Sequence, residues 1–324
     1  MLITLVACPN GMGHFNRLLN LSLSLKTNNS INLVCTKNQI KKVNLKYPKK
    51  IKLRPILEDI NLKQNPYSKL LKLYNKNFLN YKFFKDSDFI ISDNLINKYF
   101  FEKKCILISN FFWTEVTKKR TKYRTKYLKI ENNFIKRKNI IANRYFCTKK
   151  AKKVGKKYDF IEKNKFQLIK KKLSKKKIFI YVGSSEKITK KFYLNIKRLN
   201  FIIYSNNKKL IEYGCKKFNF TEKEFIEMKY IFAKAGLSSI TDSIKFKIPI
   251  IVIRNKKNLE YEHNLKQILK FKIGTYIDKN DTFKSFKKKI DYIDKKRYSD
   301  FLKNFNKFNF GGSEQIEKFI KSYE

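Results

Sequence analysis

Short, almost wholly apolar runs alternate along the chain with longer stretches whose apolar residues recur at helical spacing. In the first half the short runs are LITLVA (2–7), INLVCT (31–36), IKLRPI (51–56), FIISD (89–93) and CILIS (105–109); in the second they are KIFIYVGSS (177–185), FIIYS (201–205), KYIFAKAG (229–236) and IPIIVIR (248–254). A strand that is apolar along its whole length, rather than at every second residue, is buried on both faces, as happens when helices cover both sides of a parallel sheet. Between these runs RLLNLSLSLK (17–26), YSKLLKLYNKNFLNYKFF (67–84), SSITDSIKFK (238–247) and EYEHNLKQILKFK (260–272) predict the covering helices, with INKYFFEKK (96–104) as a shorter one.

The series occurs twice, and 324 residues are more than one core usually organises. The expectation is an α/β protein of two Rossmann-like domains, at 1–165 and 166–324, whose parallel sheets face an interdomain cleft. The segment from Thr117 to Lys177 is very basic. Its first run, 118–138, reads as a solvated helix, IIANRYFCT (140–148) as one more apolar segment, and the second basic run, 149–157, as a crossover near the boundary.

Lys and Arg number 76 against 26 Asp and Glu, a formal net charge of +50. Such a balance first suggests nucleic acid. Arginine is scarce among the cations, however, and Lys, Asn, Ile, Phe and Tyr are enriched together, as in proteins encoded by A+T-rich genomes; compositional drift is favoured over selected nucleic-acid binding. An attraction to anionic lipid or phosphorylated substrates stays open. With 42% hydrophobic and 15% aromatic residues the chain folds despite its charge. The five cysteines, Cys8, Cys35, Cys105, Cys147 and Cys215, are widely spaced with no C-x-x-C, which argues against a disulfide framework and a zinc site and fits a reducing cytoplasm. No apolar run approaches the roughly 18 to 20 residues that span a bilayer, so the expected location is cytoplasmic, with any membrane contact peripheral, at the inner face.

Directly behind the first run lies CPNGMGHFNR (8–17). Gly11 and Gly13 are expected to turn the backbone, with a helix starting near His14 and its unsatisfied N–H groups facing the loop. His14 stands at the carboxyl end of a strand, where open α/β sheets bind ligands, and an imidazole suits proton abstraction near neutral pH. Arg17, one turn on, is placed to meet a phosphate or to pair with a carboxylate. In the second half AKAGLSS (233–239) ends a strand and opens a helix, so Gly236 and the N–H groups after it, with Ser238 and Ser239, are candidates to hold a diphosphate. YVGSS (181–185) offers Gly183 and Ser184 for a backbone contact to phosphate or base, with a plain turn as the alternative.

The stretch NGMGHFNRLLNLSLSL (10–25) resembles the G-x-G-H-x-x-R segment that opens a group of GT-B glycosyltransferases and their nucleotide-sugar-cleaving relatives. FIISDN is similar to their segment with an aspartate at a strand end, ISNFFWTE (108–115) to the SNF-x-W strand of part of the group, and 231–253 followed by 260–277 to their donor-site pattern. The resemblance implies that Asp93 orients His14, an N-cap over 94–101 being the alternative. It also implies that Asp242 and the pair Glu260 and Asn264 bind the ribose and sugar hydroxyls of the donor. Two positions depart from the pattern: Asp242 stands where Glu is usual, and Tyr261 where Gln is usual.

The function implied is transfer of a sugar from a nucleotide sugar, of the UDP-sugar kind, to a hydroxyl of a glycan or lipid-linked acceptor in cell-surface polysaccharide synthesis. The first domain would serve the acceptor and the second the donor. Transfer is expected to be inverting and independent of metal or cofactor. One alternative is a nucleotide-sugar hydrolase of the pseudaminic-acid pathway type, in which His14 would activate water; LVACPN in place of an R-x-D before the glycine loop favours transfer. The other is a non-catalytic basic protein of nucleic acid or membrane surfaces.

Overall fold

The computed structural model describes residues 1–25, 30–42, 49–60, 66–117, 121–161, 176–182, 190–278, 280–295 and 298–323. The chain divides into two compact units, the first of Met1–Lys165 with Asn309–Glu324, the second of Phe166–Phe308.

In the first unit the strands are β1 (Leu2–Ala7), β2 (Ser30–Thr36), β3 (Ile51–Leu57), β4 (Phe89–Asp93), β5 (Cys105–Ile108), β6 (Asn139–Asn143) and β7 (Lys156–Tyr158), each pair of neighbours parallel in the order β3-β2-β1-β4-β5-β6-β7. Order reverses between β1 and β4, where Ala7 lies beside Asp93 in register. Ile3, Leu5 and Ala7 pack on one face of the sheet and Val6 on the other, so both faces are covered. Pro55 is tolerated in β3 because that strand is an edge.

In the second unit β8 (Lys177–Tyr181), β9 (Ile202–Ser205), β10 (Lys216–Lys217), β11 (Tyr230–Ala233), β12 (Ile250–Ile253) and β13 (Gly274–Ile277) are parallel in the order β10-β9-β8-β11-β12-β13. Its reversal lies between β8 and β11, the counterpart of β1 and β4.

Four expectations need correction. Residues 67–84 are not one helix but a helix Pro66–Asn75, a 3-10 turn Phe78–Asn80 and a short helix Lys82–Lys85. The break has a cause: Asn97 Nδ2 donates to the carbonyls of Leu73 and Lys76 at 2.7 and 2.9 Å, which satisfies the helix end, and Asn77 caps the next turn. INKYFFEKK holds only the 3-10 turn Lys98–Phe101, with Phe100 stacked on Phe78.

Within the basic run 118–138, Lys122–Arg137 do form a helix, but one that buries Tyr127, Glu131 and Phe134 rather than a fully solvated one. Its long cationic side chains hid that stripe. The second basic run holds a helix, Lys149–Val154, and the strand β7, which closes the sheet.

The last correction concerns 309–324, read as part of the second half. The helix Gly312–Lys321 packs in the first unit, with Ile316 and Ile320 in the same core as Ile3 and Phe15. Gln315 accepts from Asp159 N and donates to its carboxylate, at 2.8 and 2.7 Å. Among the described residues no helix is long and apolar enough to cross a membrane.

Candidate active site

The loop after β1 and the end of β4 meet at the strand-order reversal of the first unit. Gly11, with φ of 92°, is the cap residue before the helix Met12–Ser24, in a conformation that favours glycine although a Cβ there would meet open space. Gly13, expected to share the turn, already lies in the first helical turn. Gln39 Nε2 holds the loop by donating to the carbonyls of Cys8 and Gly11 at 3.2 and 2.8 Å, while its Oε1 and N complete a capping box with Thr36.

His14, 8% exposed, directs Nδ1 to Asp93 Oδ1 at 2.9 Å, and Arg17 Nη1 reaches the same oxygen at 3.1 Å. Asp93 is wholly buried. It does not cap the turn at 98–101, whose cap is Asn97. An ionised carboxylate only accepts, so the proton of a neutral His14 sits on Nδ1 and Nε2 carries the lone pair. Phe111 meets the imidazole edge-on, ring centres 6.4 Å apart, and Trp113 meets Phe111 at 5.0 Å. Trp113 Nε1 donates to the carbonyl of Asn94, which follows Asp93 in a left-handed conformation (φ 55°). The segment SNFFW thus braces the turn that presents Asp93.

Tyr158, at the end of β7, donates to Asn110 Oδ1 at 3.4 Å. Burial first pushes its phenol up to about 12, with Arg17 pulling it down and Asp93 pushing it up, so it is a neutral group at ordinary pH.

In the second unit Gly236 caps the helix Leu237–Lys245 without a side-chain hydrogen bond. Its φ of −81° suits any residue and a Cβ would meet nothing within 4 Å, so neither backbone strain nor crowding calls for glycine here. Ser238 and Ser239 lie in the first turn, Ser239 buried, and Asp242 one turn on is partly exposed. Burial, and then the charge of Asp242, push the Tyr181 phenol well up.

Asn264, expected to face a ligand, is 3% exposed and donates Nδ2 to the carbonyl of Ala235 at 2.8 Å, so it pins the glycine loop. Glu260 is partly exposed in the first turn of the helix Leu259–Lys270. That turn is tied to the sheet by Glu262, which takes Arg254 through two hydrogen bonds of 2.9 and 2.7 Å. Gly183 and Ser184 lie outside the described residues.

Each unit therefore carries an uncapped helix start beside its strand-order reversal, and in each an amide side chain from elsewhere in the unit pins the loop, Gln39 in one and Asn264 in the other. The T-x-x-Q spacing of Thr36 and Gln39 is a sequence signal for a cap. No local spacing connects Gln39 to the loop, or Tyr158 and Asn110 to Asp93.

The sequence matches no model of a known protein family and no curated protein. Solved structures do resemble it along its whole length. The glycosyltransferase of kitacinnamycin aligns over 99% of this chain and 98% of its own, with a TM-score of 0.73 at 13% identity. The glycosyltransferase SsfS6 of Streptomyces sp. SF2575, complexed with thymidine diphosphate, aligns over 99% of both chains (TM-score 0.68, 10% identity). SnogD, a glycosyltransferase from Streptomyces nogalater, aligns over 100% of both (TM-score 0.65, 9% identity). The fold is GT-B.

Proposed function

We propose that the chain is a glycosyltransferase that moves a sugar from a nucleoside-diphosphate sugar to an acceptor hydroxyl. One observation carries the reading: an imidazole held through Nδ1 by a fully buried carboxylate, at the strand-order reversal of a fold shared with glycosyltransferases. His14 Nε2 takes the proton of the acceptor O–H, the oxygen bonds to the anomeric carbon, and the bond to the diphosphate breaks. A single displacement of this kind inverts the anomeric centre.

Asp93 stabilises the imidazolium that forms. The negative charge growing on the departing diphosphate is met by the backbone N–H groups of Leu237, Ser238 and Ser239 at the uncapped helix start, without a metal ion. Asp242 and Glu260 are the carboxylates we assign to hydroxyls of the donor, with Gly183 and Ser184 near its phosphate or base. Asn264 acts through the loop it pins. The acceptor we assign to the first unit is a glycan or lipid-linked glycan of the cell surface. The cations Lys122, Lys126, Lys129, Lys136 and Arg137, exposed on one helix, suit an acceptor carrying lipid phosphate and a peripheral position at an anionic membrane.

The experiment is a thermal-shift panel of uridine, thymidine, guanosine, cytidine and adenosine diphosphates, followed by the sugars of whichever stabilises. A ligand at 100 times its Kd adds about 2.7 kcal/mol of stability, a readily measured rise. The expected result is a rise with one or two of the five, matched in His14→Ala. A panel in which none raises the melting temperature contradicts the reading. Hydrolysis of the chosen sugar at full rate without any acceptor would assign the chain to cleavage instead.

A further inference from the structure

Asp93 offers one oxygen to two donors of different kinds. His14 Nδ1 lies 2.9 Å and Arg17 Nη1 3.1 Å from Oδ1, both from the first turns of one helix, and the Asp93 side chain has no exposed surface. A carboxylate withdrawn from water has to be balanced by a cation at contact distance. With His14 as its only partner, that cation would be a protonated imidazole, and an imidazolium has no lone pair with which to take a proton. Arg17 carries its charge at every working pH. The pair of Asp93 and Arg17 is neutral without a proton on His14.

We propose that Arg17 is a positioning residue that keeps His14 in its neutral, proton-accepting form, by balancing the charge of Asp93 and fixing its carboxylate against Nδ1. The purpose of this device rests on the function proposed above; its test does not. The groups facing His14 pull in two directions, and Arg17 offsets the one that favours a proton on it. From its own helix come Arg17 and the positive helix end, which disfavour a further cation. From β4 comes Asp93, whose charge Arg17 shares, and from the loop after β5 the apolar ring of Phe111. Tyr158 of β7 lies near Arg17 and Asp93 but carries no charge, its phenol being pushed up to about 12 by burial first. Arg17 thereby meets the carboxylate through Nη1.

The chain has two histidines, His14 and His263, so protein labelled with nitrogen-15 in its imidazole rings gives two sets of ring signals, assigned with His263→Gln. The signals are followed against pH with no substrate present. In Arg17→Met the midpoint for His14 is expected to rise by about one pH unit or more, a tenfold gain in proton affinity. Arg17→Lys, which keeps the charge, is expected to restore most of the wild-type value. A midpoint unmoved in a folded Arg17→Met overturns the inference. Arg17→Gln, which keeps planar donors without the charge, gives the same comparison if Met unfolds the protein. An unmoved midpoint in an enzyme that still needs His14 refutes the role of Arg17 alone; loss of the transfer reading leaves the titration standing.

Discussion

His14 and Asp93, 79 positions apart in sequence, share a hydrogen bond of 2.9 Å because β1 and β4 are neighbours and each ends at the same edge of the sheet. Asp93→Asn is close in shape but offers an amide in place of a carboxylate, so it no longer fixes the proton on Nδ1 or stabilises the imidazolium. We expect transfer to fall by about 10²–10⁴-fold, the usual worth of such acid–base support, with the melting temperature of the free protein changed far less. Steady-state kinetics on the variant check this. Activity within a factor of about three of wild type would remove Asp93 from the mechanism.

Gly236 and Gly11 make opposite demands. Nothing in the fold requires glycine at 236, whereas the φ of 92° at Gly11 does. Gly11→Ala is therefore expected to cost about 1 kcal/mol or more of stability. Gly236→Ala should unfold like wild type yet, if the proposed site is right, bind the stabilising nucleoside diphosphate at least about tenfold more weakly, because the added methyl would stand at the helix start proposed to meet the diphosphate. Denaturant unfolding and calorimetric titration separate the two, and undiminished affinity in Gly236→Ala would take the diphosphate away from that loop.

The terminal helix makes a similar pair. A Cβ on Gly312 would run into the backbone of Asp159 and Phe160, while one on Gly311 would meet nothing within 4 Å. Gly312→Ala is expected to lower stability by about 1–3 kcal/mol, and Gly311→Ala to stay within about 0.5 kcal/mol. Equal urea midpoints for the two would mean that this helix is not docked through Gly312.

How much of this could be read from the sequence depends on the range of the interaction concerned. The apolar runs from LITLVA to IPIIVIR mark strands because burial on both faces leaves a local trace, and the glycine and histidine of 11–14 stand beside the run that positions them. The break after Asn75 and the buried stripe of 122–137 were not legible, since one depends on Asn97 and the other is masked by lysines whose stems cover apolar surface. Gln39, Asn264 and the return of 309–324 to the first unit are tertiary matters: an amide that pins a distant loop looks in sequence like any other helical Gln or Asn.

Glu131, buried on the basic helix, has its carboxyl pushed up from the ordinary 4.5 by burial, against the Thr114 hydroxyl and the Lys150 ammonium. A carboxyl with a raised folded-state pKa keeps its proton in the native state at pH values where the unfolded chain has lost it. The native state then binds more protons, and this group's contribution to stability is lost as pH rises from the unfolded value through the folded one. Glu131→Gln lacks that loss. The stability of the variant relative to wild type should therefore increase as pH rises from about 4 to 7, by urea unfolding at each pH. A difference that stays flat or falls would show that the pair with Lys150 outweighs burial.

Whether His14 is the base of a transfer reaction is decided by turnover of the nucleotide sugar that stabilises the wild-type protein, measured as release of nucleoside diphosphate in the presence of acceptor for wild type and His14→Ala. A loss of about 10²–10⁴-fold or more is expected in the variant, with the thermal shift by the same nucleotide unchanged. Release at the wild-type rate from a folded, donor-binding His14→Ala would remove His14 from the reaction.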